Sequence, residues 1–181
     1  SLGTMHLAGR IARILSEKAS NTGKRNIAQS LRENKNTIMA AGFLHDIGHG
    51  PFSHVLDYPL KEIAKKNHEK MTTEIVKACF KSELEKHAIP VDFVAQIIQN
   101  SRTPRYQFIC GIINGPLDAD KIDYILRDSY HVGLKYSFDV DVFTNEYVIL
   151  GDDTDLSACQ LGLEPSYEAI CTAEIYIPVS Y

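Results

Sequence analysis

The stretch 41-AGFLHDIGHGPFSH-54 carries three of the chain's seven histidines within ten residues. It begins inside an apolar run and meets Gly48, Gly50 and Pro51, residues that stop a helix. His45 and Asp46 are therefore predicted in the last turn of a helix, with His49 and His54 following in a tight loop or short helix. An imidazole beside a carboxylate suits a borderline divalent ion. Neighbouring helix residues sit about 100° apart, but at a frayed helix end both can turn toward one ion. The flanking glycines let backbone and substrate come close. A surface loop with incidental histidines is the alternative. Four such groups on glycine-punctuated backbone, behind an apolar helix, weigh against it.

Outward from this point the apolar periodicity is helical. Residues 5–18 place Leu7, Ile11 and Ile14 or Leu15 at helical spacing, and SNTG after them reads as a turn. Residues 27–46 read as a helix broken near Asn34. Residues 68–87 read as the clearest helix, with Met71, Ile75, Cys79 and Leu84 as its buried stripe. Pro90 opens a short helix with Val91, Val94 and Ile98 on one face. SRTPR at 101–105 is a loop, and Leu117–Tyr130 is a further helix closed by Gly133. EYVIL at 146–150 reads as a short strand, 151–155 as a turn and 166–177 as a final helix. The class is mostly α with little strand.

Composition agrees with one globular domain of 181 residues, with 44% hydrophobic and 23% charged residues. A net charge of −4 argues against a general nucleic-acid binder. No run is long and apolar enough for a membrane span, and no signal-peptide pattern opens the chain. Cys79, Cys110, Cys159 and Cys171 form no CxxC pair. Reduced, mostly core cysteines and a cytoplasmic location are expected.

A second feature lies at 115-GPLDADKIDYILRDSYHVG-133. Asp120, Tyr124 and Asp128 are spaced i, i+4, i+8 and align along one side of a helix. Lys121 and Arg127 lie beside that line. A carboxylate able to take a metal, near a lysine, a tyrosine hydroxyl and an arginine, is what a phosphate substrate needs. A solvated charged face is the plainer reading of this helix alone. His68 and Glu69 read as the polar start of a helix; His6, His87 and His131 read as structural or surface residues.

Two blocks, LHDIGHGPFSH at 44–54 and DADKIDYILRDSYHVG at 118–133, resemble the HD superfamily of metal-dependent phosphohydrolases. Within it they are most similar to the deoxynucleoside triphosphate triphosphohydrolase branch, which includes bacterial dGTPases. The opening SLG and HE at 68–69 fit the same pattern. The resemblance is good over 1–133, taken as the HD core, and thin over 134–181, taken as an extension of the same domain. It implies a helical core around a divalent ion (Mn, Mg, Fe, Co, Ni or Zn) held by His45, Asp46 and Asp120. A first histidine ligand is expected just before Ser1, so the chain is expected to be a fragment of a longer protein and to be inactive alone if that ligand is essential. The resemblance further assigns catalytic roles to His49, His54, Asp57 and His68, and phosphate or substrate contacts to Lys121, Tyr124 and Asp128. Lys121 and Tyr124 are expected to handle phosphate without building the core.

The implied reaction is hydrolysis of a deoxynucleoside triphosphate to nucleoside and triphosphate, with a nucleotide substrate and homo-oligomeric assembly of the full-length protein. An HD-type phosphodiesterase, a hydrolase of guanosine-tetraphosphate type or a nucleotide monophosphatase would use the same ion. A non-catalytic nucleotide sensor or scaffold is the reading from another class; the full set of polar residues around the site speaks against it.

Overall fold

The computed structural model describes residues 2–50, 52, 55, 59, 61–63, 65–99, 107–133 and 139–164. His54, Asp57, the loop at 101–105 and the helix expected over 166–177 lie outside the described residues.

Helix α1 (Leu2–Asn21) forms on a stripe of Leu7, Ala8, Ile11, Ala12, Leu15 and Ala19, all buried. Thr22, Gly23 and Lys24 turn the chain, with Lys24 N–H donating back to Ala19 O at 2.8 Å. Helix α2 (Arg25–Leu44) returns along α1 and contributes Ile27, Ala28, Leu31, Ile38, Ala41 and Leu44 to the same core. The break expected near Asn34 is absent. The Asn34 side chain donates to Ser30 O at 2.8 Å, so its amide is satisfied within the helix rather than competing with it.

The long helix expected over 68–87 is divided. Helix α3 (His68–Ile75) runs into a π-helical turn (Val76–Phe80) and then α4 (Lys81–Lys86). Its buried residues are Thr72, Thr73, Val76 and Leu84, not the expected Met71, Ile75 and Cys79. Cys79 is exposed, while Cys110 and Cys159 are buried as expected. Two threonines displace the more apolar neighbours because their hydroxyls are matched: Thr72 to His45 O and Thr73 to Lys70 O.

Helix α5 (Val91–Ile98) begins after Pro90 and buries Val91, Val94, Ile97 and Ile98. Helix α6 (Gln107–Asn114) supplies Phe108, Ile109, Ile112 and Ile113 to the centre of the core. Each side chain of this size contributes about 1.5–3 kcal/mol on full burial. Helix α7 (Ala119–Val132) is capped by the Asp118 carboxylate, which accepts from Lys121 N, and closes at Gly133 in left-handed conformation.

A short helix α8 (Val140–Asn145) leads into β1 (Tyr147–Leu150), antiparallel to β2 (Gln160–Leu163) with Tyr147 opposite Leu163. β1 was legible; β2 was not, because four residues interrupted by Gly162 give no alternation. The ribbon is tied to the helices. Tyr147 donates its hydroxyl to Leu117 O at 2.5 Å. Lys18 donates to the carbonyls of Asn145 and Tyr147, and Lys24 to those of Ile149 and Gly151. The described residues are thus mostly α, with one two-stranded ribbon. None of their helices is long and apolar enough to cross a membrane.

Candidate metal centre

Packing of Ala41 and Leu44 into the core fixes the end of α2, and His45 follows as its cap residue in helical conformation. Its Nδ1 lies 2.9 Å from Gly42 O. A carbonyl only accepts, so Nδ1 carries the proton and Nε2 faces the site. Asp46 Oδ2 and Asp120 Oδ1 each lie 3.1 Å from that Nε2. These contacts have hydrogen-bond length but not hydrogen-bond direction: Nε2 is buried with no aligned partner among the described residues. One ligand atom from each of His45, Asp46 and Asp120 falls within 4.8 Å of the others. Two carboxylates and an imidazole that point at a common place, rather than at one another, make a nitrogen and oxygen donor set that fits a divalent ion.

The surroundings hold this trio in place. Thr4 Oγ1 donates to Asp120 Oδ1 at 3.1 Å. Thr72 Oγ1 donates to His45 O and accepts from Gly48 N–H, both at 3.0 Å. The close approach needs the glycine: a Cβ on Gly48 would lie 2.3 Å from Thr72 N. The turn after α2 is therefore bolted to the first turns of α3.

Burial opposes charge on His45, but the carboxylates of Asp120 and Asp46 outweigh it and raise the imidazole from 6.5 to about 10. Burial likewise pushes Asp46 and Asp120 upward, yet His45 overcomes it and holds both below the usual carboxylate range.

Beside the trio, His49 Nε2 lies 3.4 Å from Asp46 Oδ1. The His49 ring stacks on that of His68 with centroids 4.1 Å apart and planes 18° apart. His68 opens α3, but the cap is Asn67, whose side chain accepts from Lys70 N at 3.0 Å.

On α7 the picture is mixed. Lys121 is half-buried and donates to Gly115 O and to Asp118 Oδ2, both at 3.1 Å. Burial raises the Asp118 carboxyl, an effect that Lys121 opposes. Lys121 thus has a structural task, contrary to the expectation that it stands apart from the folding of its helix. Tyr124 is half-buried, and burial pushes its hydroxyl above the usual range. Asp128 is exposed and lies about 12 Å along the helix axis from Asp120. The structure does not bring it to the trio. His6, His87 and His131 are exposed.

Thr4, Thr72 and Asp118 were not found from the sequence. Asp118 carried a usable sign, a carboxylate just before a helical run. The two threonines carried none, since a threonine on an amphipathic helix looks like any half-polar spacer.

The HD domain family pattern matches residues 1–124. The chain is 37% identical over 123 residues to HD domain-containing protein L394 of Acanthamoeba polyphaga mimivirus, which covers 62% of this chain and 26% of that protein. It is 31% identical over 147 residues to the deoxynucleoside triphosphate triphosphohydrolase SAMHD1 homolog of Dictyostelium discoideum, covering 74% of this chain and 26% of that one. With human SAMHD1, named a deoxynucleoside triphosphate triphosphohydrolase, identity is 27% over 190 residues, covering 88% and 29%. The chain spans about a quarter of the length of these relatives. A crystal structure of a hypothetical protein from Aquifex aeolicus superposes with a TM-score of 0.70 at 23% identity, covering 98% of this chain and 44% of that one, a likeness of fold. By its match over residues 1–124 the chain belongs to the HD domain family, the superfamily of metal-dependent phosphohydrolases that its two motif blocks resemble.

Proposed function

We propose that the protein hydrolyses deoxynucleoside triphosphates to nucleoside and triphosphate, using a divalent ion held by His45, Asp46 and Asp120. The observation that carries the reading is the convergence of His45 Nε2 with Asp46 Oδ2 and Asp120 Oδ1, each 3.1 Å away, without hydrogen-bond alignment. The triphosphohydrolase names of relatives such as the Dictyostelium and human proteins support the choice of substrate.

An ion held by His45, Asp46 and Asp120 would polarise a phosphoryl oxygen and lower the pKa of a bound water toward neutrality. The chain's own residues do the rest. A water oxygen would bond to the α-phosphorus as the bond to the 5′ oxygen breaks, so the water gives up one proton and the 5′ oxygen takes one up. His49, stacked on His68 and next to Asp46, is the group proposed to hold and deliver it. Lys121 uses two of its three N–H groups on Gly115 and Asp118, which leaves one for a phosphate oxygen. The Tyr124 hydroxyl and Asp128 are proposed to extend the substrate contacts, and His54 and Asp57 to complete the catalytic group.

The test is product analysis. Full-length protein, stripped with chelator, is reloaded with Mn²⁺, Mg²⁺, Fe²⁺ or Co²⁺ and given deoxynucleoside triphosphates, monophosphates and cyclic dinucleotides. Intact triphosphate beside nucleoside is expected, with loss on adding chelator and on Asp120→Asn. Inorganic phosphate from monophosphates, or opening of cyclic dinucleotides, would replace the triphosphohydrolase reading by one of the other two. No turnover with any metal would end the enzymatic reading.

A further inference from the structure

We propose that Thr4 is a positioning residue of the metal centre, its hydroxyl fixing the Asp120 carboxylate so that Oδ1 stays directed at the point shared with His45 and Asp46. The inference rests on reading the trio as a metal site.

Thr4 lies in the first turn of α1, 116 positions from Asp120, and is fully buried. Its Oγ1 donates at 3.1 Å to Oδ1, the same oxygen that stands 3.1 Å from His45 Nε2. The first turn of α1 is wedged between the end of α2 and the start of α7. Thr4 O lies 3.3 Å from the place a Cβ on Gly42 would occupy, and a Cβ on Gly3 would fall 1.7 Å from Asp123 Oδ1. Contacts on both sides leave this turn little room to shift, so the hydroxyl is presented at a fixed place. A β-branched side chain is also stiff about χ1, which fixes its direction.

Packing alone does not call for threonine here. Valine has nearly the same shape, and a buried hydroxyl is costly unless it is matched. What threonine adds is a donor aimed at one oxygen of a carboxylate. That carboxylate otherwise has free rotation about its terminal bond. Hydrogen bonds from such outer residues fix ligand direction, and removing one typically costs ~10–100-fold in metal affinity.

The experiment measures Mn²⁺ binding by calorimetry on the full-length protein after chelator treatment, for wild type, Thr4→Val, Thr4→Ala and Thr4→Ser, with a metal-free urea melt of each. Thr4→Val and Thr4→Ala are expected to bind Mn²⁺ at least ~10-fold more weakly. Thr4→Ser, which keeps the donor, should stay within about threefold of wild type by the same reasoning. Equal affinity of Thr4→Val and wild type overturns the proposal. So does a Thr4→Ser protein as weak as Thr4→Ala, because the lost methyl would then be the cause. If Thr4→Val does not fold, the Ser and Ala pair still decides between donor and methyl. Wild type that binds no Mn²⁺ overturns the metal reading itself and this inference with it, a result distinct from wild type that binds while Thr4→Val binds equally.

Discussion

Lys121 has a structural task beside the phosphate contact proposed for it. Its ammonium neutralises Asp118, a carboxylate with a side chain only 7% exposed that caps α7. Removing the ammonium leaves that charge buried without its partner. Lys121→Ala is therefore expected to lower the unfolding free energy by about 2–4 kcal/mol in a urea melt. Adding Asp118→Asn should restore part of the loss, since asparagine still caps the helix and carries no charge. A melt identical to wild type would show that Lys121 is free for substrate alone. The His45–Asp46 pair was legible because two unlike ligand types met at the end of an apolar run. Asp120 was legible beside Lys121 and Tyr124. Thr4 and Thr72 were not, because their importance comes from partners 116 and 27 positions away. The direction of Lys121 was also hidden: spacing places a residue on a face but does not say which neighbour takes its ammonium.

Elements were easier to read than their boundaries and faces. The period of apolar residues predicted α1, α2, α5 and α7 within a few positions of where they lie. It failed at 68–87, where hydropathy favoured Met71 over Thr72 and could not foresee a π-helical turn. The end of that segment holds a second surprise. Ala88 adopts φ 56 in a turn closed by Ala88 N–H to Glu85 O and Ile89 N–H to Leu84 O. This left-handed position suits glycine, and an L side chain there costs about 1–2 kcal/mol. The greater freedom of glycine in the unfolded chain offsets part of that gain. Ala88→Gly is expected to stabilise the protein by roughly 0.5–1 kcal/mol. A urea midpoint that falls instead would mean that the Ala88 methyl contributes to packing.

For the molecule as a whole, the core sets an alkaline limit. Cys110 is 3% exposed, and burial pushes its thiol up to about 11. A folded pKa above the unfolded one means that the contribution is fully present below about 9 and is lost as pH rises through the folded value. A rise of that size corresponds to roughly 2–3 kcal/mol, lost between about pH 9 and about pH 11. Tyr147, also buried, is shifted the same way. Urea melts across this range should show a steeper decline for wild type than for Cys110→Ala, whatever the difference in their stability at neutral pH. Equal slopes would mean that the thiol ionises without opening the fold. Lys18 of α1 and Lys24 of the turn before α2 bear on a different property of the molecule. The carbonyls of residues 145, 147, 149 and 151 form the row that faces away from β2, and Lys18 and Lys24 occupy all four. A bare row of this kind recruits strands from neighbouring molecules. Here two ammonium groups seal it, so on that side the ribbon cannot lengthen into an intermolecular sheet, and neutralising those lysines would open a nucleus for aggregation.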